Sequence, residues 1–558
     1  MRLTTPLPLH AAAAQGEDEL SPLLHALEGE TPCPSENGED SQDQQLFSYD
    51  ASRSSKQQQQ QQQHHHRSTE ASSLSVPSVW AETWSAIEFA TPLSYAAALL
   101  AYLPIIAVES LGHFGKEALA AYATSRMINT ILVMGPMLGT STALETLCSQ
   151  SYTGSDDPRA VGYWLQRLIV IITIMFVVCE VLLWNCDWLV RLVVFGALSE
   201  EGIHQTVVLV RLDILLHYIS VLMNAVKRFL FAQKIKAANV IGLTLAVPVC
   251  MVSSYYLVKN PTTSLGLYGA PISVILAFLT ILFTMIGYVI ATGQGRAAWG
   301  GWSWREAMRE WKLFGTLGVP AAFTTTIEYG FQEFIAVGAA RLDPVALAVH
   351  PIASTLIRLA VNTFTRQVGV VNTAHIGHSL GDANAKRANR VSNVGTAIGT
   401  ISAVLAAVIL LVFRQSIVEH YTNQAEVIAL MLELFPVVAA CVLFLGMNNA
   451  LDGVMRGQGR QYQALWFKIV AFYLVALPAG YYLAFVTPYY GVKGLWSGLA
   501  LGAAATAILQ LWWILTTDWD AEVVLCQQRL GNFAVEDEDD EEAMISDAAT
   551  IRSFDQRD

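Results

Sequence analysis

Charge is scarce in this chain. Charged residues make up 14% of its 558 positions, against roughly 25% in soluble globular domains. Cysteine is sparse too. The seven cysteines form no C-x-x-C pair, which argues against a disulfide framework or a zinc ribbon and leaves small buried hydrophobes as the reading. No H-E-x-x-H or Walker loop is present, so neither an enzyme nor a nucleotide-driven pump is expected. No cofactor and no metal centre is implied. No basic stripe interleaves with aromatics, which removes nucleic acid as a partner. No long apolar run precedes residue 85, so no signal peptide is expected.

Apolar residues are what the chain has in quantity. They form 53% of it, with a mean hydropathy of +0.41. The net charge of -13 is carried by the two ends. Residues 1–80 hold 11 acids and 4 bases, and residues 518–558 hold 13 acids and 3 bases. The body between them is net +4. The first segment, with Gln57–Gln63 and His64–His66, reads as a disordered tail. Within it, Glu19 followed by Leu23-Leu24 has the spacing of an acidic dileucine sorting signal. The acidic run Glu536–Glu542 reads as a solvated tail.

The body repeats itself. Pro92 recurs as Pro320, Gly154 as Gly381, Tyr255-Tyr256 as Tyr481-Tyr482, and Gly266-x-x-Gly269 as Gly491-x-x-Gly494. The offsets run from 225 to 228. Duplicated hydrophobic halves are a mark of secondary transporters, with the substrate path between them. A bilayer core takes about 20 apolar residues per helix. Twelve segments meet that length: 86–108, 118–147, 162–184, 205–231, 237–258, 268–292, 311–337, 345–374, 392–413, 425–451, 463–485 and 491–516. The expectation is an all-α integral membrane protein with the lipid bilayer as its solvent, because open backbone finds no partners in lipid. Basic residues gather in alternate loops, at Arg159, at Lys227, Arg228, Lys234 and Lys236, at Arg296, Arg305, Arg309 and Lys312, at Lys386, Arg387 and Arg390, and at Arg456 and Arg460. That bias makes those loops, and with them both termini, cytoplasmic. The expected organisation is a tail 1–80, a first lobe 81–293, a loop 294–309, a second lobe 310–517 and an acidic tail 518–558.

Two segments carry family character: GTSTALETLCSQSYTG (Gly139–Gly154) and DGVMRGQGRQ (Asp452–Gln461). LGHFGKEALAAYA (Leu111–Ala123) and YGVKGLWSGLALG (Tyr490–Gly502) support them. Together they resemble the eukaryotic multidrug and toxic compound extrusion family. The resemblance implies a V-shaped pair of six-helix bundles. It also implies export of organic cations, xenobiotics or metabolites in exchange for protons, at a vacuolar or lysosomal-type membrane or the plasma membrane. A sodium-coupled exporter and a lipid-linked saccharide flippase are the alternatives.

Acids at membrane depth usually face a cavity and act. The run TTTIEYGFQEF holds Glu328 and Glu333, whose spacing matches the family's seventh helix, where such glutamates serve cation binding and proton coupling. Five residues turn a helix by about 140°, so the two point apart. Glu328 is the first candidate for substrate and proton binding, with Tyr329 beside it, then Glu333 and Asn449. A structural ion pair of Glu328 with Arg358 or Arg366 is the competing reading. Glu145, where the resemblance would place an aspartate, and Asp213 are candidate gate or structural acids. The acid many members carry eight residues before GVMRG is Leu445 here, which puts a preference for cations in doubt. His375 and His378 read as contacts at a helix end, with pH sensing as the alternative.

Overall fold

The computed structural model describes residues 77–111, 114–194, 198–487 and 490–531. The dileucine pattern, the glutamine and histidine tracts, Cys33 and the acidic run at 536–542 lie outside them. The described residues are helical and contain no strand.

Twelve long helices follow one another: α1 Val79–Leu111, α2 Glu117–Gly154, α3 Ala160–Leu183, α4 Glu200–Ala232, α5 Ala237–Lys259, α6 Gly266–Thr292, α7 Trp311–Leu342, α8 Val345–Gly381, α9 Ala385–Val412, α10 Ala425–Gln458, α11 Gln461–Val486 and α12 Gly491–Leu515. Eleven are long and apolar enough to cross a membrane. The other is α7, of 32 residues, made more polar by Thr324, Thr325, Thr326, Glu328 and Glu333. Outward faces keep a helical stripe of bare hydrophobes, such as Ile174, Val177, Val181 and Leu182 on α3. Their i, i+3, i+4 spacing suits a lipid-facing side.

Several helices outrun the apolar segments that mark them. The second, eighth and tenth segments end at 147, 374 and 451, whereas α2, α8 and α10 end at Gly154, Gly381 and Gln458. The added turns are polar yet buried: Ser149, Gln150, His375, Ser379, Asp452 and Gln458 are all under 10% exposed. They pack against one another instead of lipid, so hydropathy does not mark their ends. The boundary at 518 also falls short. Residues 519–531 form one more helix, with Trp519 and Cys526 buried. Burial pushes the Cys526 thiol up to about 12.

The repeat is visible in backbone detail. A π-helical turn interrupts α2 at Thr130–Met134 and α8 at Val361–Thr365. Another ends α5 at Tyr255–Lys259, and its counterpart ends α11 at Tyr482–Val486. Two large hydrophobic clusters follow the halves, and two smaller ones gather around Trp519 and around Phe89. One of the large clusters runs from Ala96 to Leu317 and the other from Ile327 to Ala500.

The α2–α7 seam relies on a glycine. A Cβ on Gly139 would sit 2.5 Å from the Ala321 carbonyl oxygen and from Ala322 Cα. Backbone cannot yield as a side-chain tip does, and overpacking typically costs about 1–3 kcal/mol. Gly139→Ala is therefore expected to lower the thermal unfolding temperature of the purified protein. Gly287→Ala on α6, where a Cβ meets nothing within 4 Å, is the control and is expected to leave it unchanged. Equal melting of the two variants would refute the tight seam.

Candidate functional site

Four helices of the second half converge on one buried lysine. Lys468 stands near the start of α11, in the run ALWFKIV. Its ammonium pairs with Glu328 of α7 and lies 2.8 Å from Asp452 Oδ2 of α10. Gln510 of α12 donates to Asp452 Oδ1 at 2.6 Å. The Lys468 and Asp452 side chains are 3% and 11% exposed, but that of Glu328 is 34% exposed. Glu328 is thus the member of the group that reaches open space. Neither Arg358 nor Arg366 is its ion-pair partner, as the competing reading supposed. The reason is neighbourhood: α7 runs beside the first turns of α11, which brings Lys468 to it.

The other candidates separate. Glu333, five residues on, has no ion pair within 4 Å among the described residues, and Arg358 is the cation whose charge acts on it. Tyr329 is half-buried and lies within reach of the charges of Arg366, Glu328, Arg228 and Arg358. Asn449 donates to Thr365 Oγ1 at 3.3 Å, so it links α10 to α8. Asn448 donates to the Ala503 carbonyl at 3.0 Å.

Glu145 and Asp213 occupy different places. Asp213 of α4 is fully buried. It accepts from Ser125 Oγ at 3.0 Å and lies 3.8 Å from Arg126 Nη1. Its partners are on α2, inside the first half. Glu145 of α2 takes Arg228 of α4 at 2.9 Å on one oxygen and Arg456 of α10 at 3.3 Å on the other. Its carboxylate therefore joins the first half to the second.

Beyond Glu145 the ends of α2, α8 and α10 form a seal. Thr146 Oγ1 donates to the Arg456 carbonyl at 2.6 Å and Gln150 Nε2 to the Gly457 carbonyl at 2.9 Å. Thr153 Oγ1 donates to the His378 carbonyl at 2.8 Å. His378 Nε2 lies 2.8 Å from the Ala232 carbonyl oxygen of α4, and the His375 ring meets Phe89 of α1 edge-on. Both histidines make structural contacts across the halves. Helix 519–531 lies over this end. Arg529 donates to Gln150 Oε1 at 2.9 Å and to the Gln458 carbonyl at 2.8 Å, and Gln527 donates to the Gly381 carbonyl at 3.0 Å.

Sequence reasoning missed Lys468 and Gln510. A signal was there: a lone lysine inside an apolar run is costly in lipid unless paired, and the acid it needs lies sixteen residues back.

The model of the family described as MatE matches residues 92–257 and 320–482. An uncharacterized transporter of Schizosaccharomyces pombe is 30% identical over 450 residues, 81% of this chain and 82% of its own. Multidrug and toxin extrusion protein 1 of Homo sapiens is 26% identical over 420 residues, 75% of this chain and 71% of its own. Among solved structures, the eukaryotic MATE transporter AtDTX14 is similar with a TM-score of 0.73 at 20% identity, covering 81% of this chain and 99% of that one.

Proposed function

The chain belongs to the MatE family of multidrug and toxin extrusion transporters and is a multi-pass membrane protein, and from that premise we propose that it exports small organic solutes (organic cations, xenobiotics or metabolites) in exchange for protons. The halves 81–293 and 310–517 alternate between open and closed at each end. The basic end faces the cytoplasm, following the loop charge bias. The seal of α2, α8 and α10 at that end then corresponds to a state open to the far side.

The observation that carries this reading is the shared lysine. Glu328, Lys468 and Asp452 together hold two negative charges and one positive. One proton can enter without stranding the lysine, since Lys468 keeps Asp452 when Glu328 becomes neutral. Glu328 is half-exposed and Asp452 nearly buried, so Glu328 is the member that exchanges its proton. Protonation of Glu328 removes one of the two carboxylates that hold Lys468 of α11. That couples the charge of Glu328 to how α7 and α11 sit together, and the bistable element is their contact.

The test is uptake and release of tetraethylammonium and of organic anions by proteoliposomes, with and without an imposed pH gradient. The gradient is expected to drive transport in the unaltered protein. Glu328→Gln is expected to abolish the gradient's effect while leaving the protein folded, because glutamine keeps a polar contact with Lys468. A wild-type protein indifferent to the gradient would end the proton reading, and sodium would be tested next.

A further inference from the structure

We propose that the floor of the space between the halves binds an anionic group of the cargo, a carboxylate, sulfonate or phosphate on a small water-soluble organic molecule, with Arg366 as its principal ligand. The inference rests on the transporter reading above and names the substrate class within it.

The argument is one of charge balance. Glu145 has four cations around it. Arg228 and Arg456 pair with it directly. Lys227 and Arg366 stand close enough for their charges to act on it and on Arg228. No second carboxylate joins this group. Widening the circle to Glu328, Asp452 and Lys468 gives five cations against three carboxylates. Two positive charges in this largely buried group therefore have no protein counter-ion among the described residues. Isolated charge in such a place is expensive, and the usual remedy is a partner of opposite sign.

Arg366 is the residue left over. It is half-buried, and no hydrogen bond or ion pair forms on it among the described residues. Its planar fork suits two oxygens of one carboxylate or phosphate. Lys227 is also half-buried, and its one hydrogen bond among the described residues goes to Asn224 Oδ1 at 2.6 Å, which leaves two N–H groups. The Tyr329 hydroxyl lies among the charges of Arg366, Glu328, Arg228 and Arg358, three cations to one carboxylate, and offers a neutral donor. The floor is thus built to take negative charge.

The test is equilibrium binding, which needs no gradient. Fluorescence anisotropy of carboxyfluorescein is measured against the full chain in phosphatidylcholine nanodiscs, with rhodamine 6G as a cationic dye of similar size. Carboxyfluorescein is expected to bind saturably. Arg366→Gln should weaken it tenfold or more and Lys227→Gln several-fold, while rhodamine 6G changes less than twofold. Arg366→Lys keeps the charge but loses the fork and should bind between wild type and Arg366→Gln, which separates loss of the site from loss of the fold. No saturable binding, or equal affinity in Arg366→Gln, overturns the proposal. So does binding of farnesyl pyrophosphate without carboxyfluorescein, which would give the anion to a lipid. Intact binding with no response to a pH gradient would instead overturn the coupling and leave this site standing.

Discussion

Glu145→Gln is expected to unfasten the closed end of the transporter and to lower its thermal stability more than any other single change at that end. In the wild type one carboxylate faces Arg228 and Arg456, with Arg228 only 5% exposed. Glutamine removes the only negative charge among four cations. Removing one partner of a buried pair costs about 3–5 kcal/mol, because the charge left behind is uncompensated. The cost falls on the closed arrangement in particular, since Arg456 comes from the second half and Glu145 from the first. When the end opens, the arginine can reach water. Two readouts are expected to move together: a lower melting temperature and faster labelling by a water-soluble maleimide of a cysteine placed at Thr153, measured in a variant without native cysteines. Glu145→Asp keeps the charge on a shorter arm and should fall between. Wild-type melting in Glu145→Gln would show that the pairs are too solvated to matter.

Lys468→Met is the second large effect. It leaves Glu328 and Asp452 facing each other without a cation, with Asp452 nearly buried. Destabilisation of about 3–5 kcal/mol is expected from the unpaired charge, relieved in part as one carboxyl takes up a proton. Stability should therefore recover as pH falls, because protonation removes the repulsion. The triple variant Lys468→Met, Glu328→Gln, Asp452→Asn should melt much closer to wild type than Lys468→Met alone. The three side chains form one network, so their effects should not add. Neither variant should respond to a pH gradient in proteoliposomes. A triple variant no more stable than the single one would mean that packing of the lysine stem, not its charge, holds α7, α10 and α11 together.

Hydropathy and repeat spacing were sufficient for the helices, because lipid makes burial of apolar surface uniform along a span. They were insufficient for helix ends. His375, Ser379, Asp452 and Gln458 look like loop in one dimension and are buried in three. Asp452 shows the consequence for function. Taken as the end of a span it seems peripheral; placed six residues inside α10 it becomes the partner of Lys468. Glu328 could be singled out by its depth alone. Its partner could not, since nothing local in ALWFKIV says that α11 runs beside α7. Glu145 and Asp213, alike as isolated acids in apolar runs, differ only in which half supplies their partners. That distinction is purely tertiary.

The π-helical turn at Val361–Thr365 has a consequence for how α8 presents its charges. Arg358 and Arg366 are eight residues apart. In an uninterrupted helix that is two full turns plus about 80°, enough to send one toward the cleft and the other aside. A π turn absorbs one extra residue without advancing the helix face, which takes away about 100° of rotation. The two guanidinium stems then lie within about 20° of one another, and both charges reach Tyr329. Deleting a single residue between Val361 and Thr365 would leave seven steps of ordinary helix, about 700°. The two arginines would then keep their alignment without the π turn. Rewinding the full-length segment as α-helix would instead turn one by about 100° relative to the other.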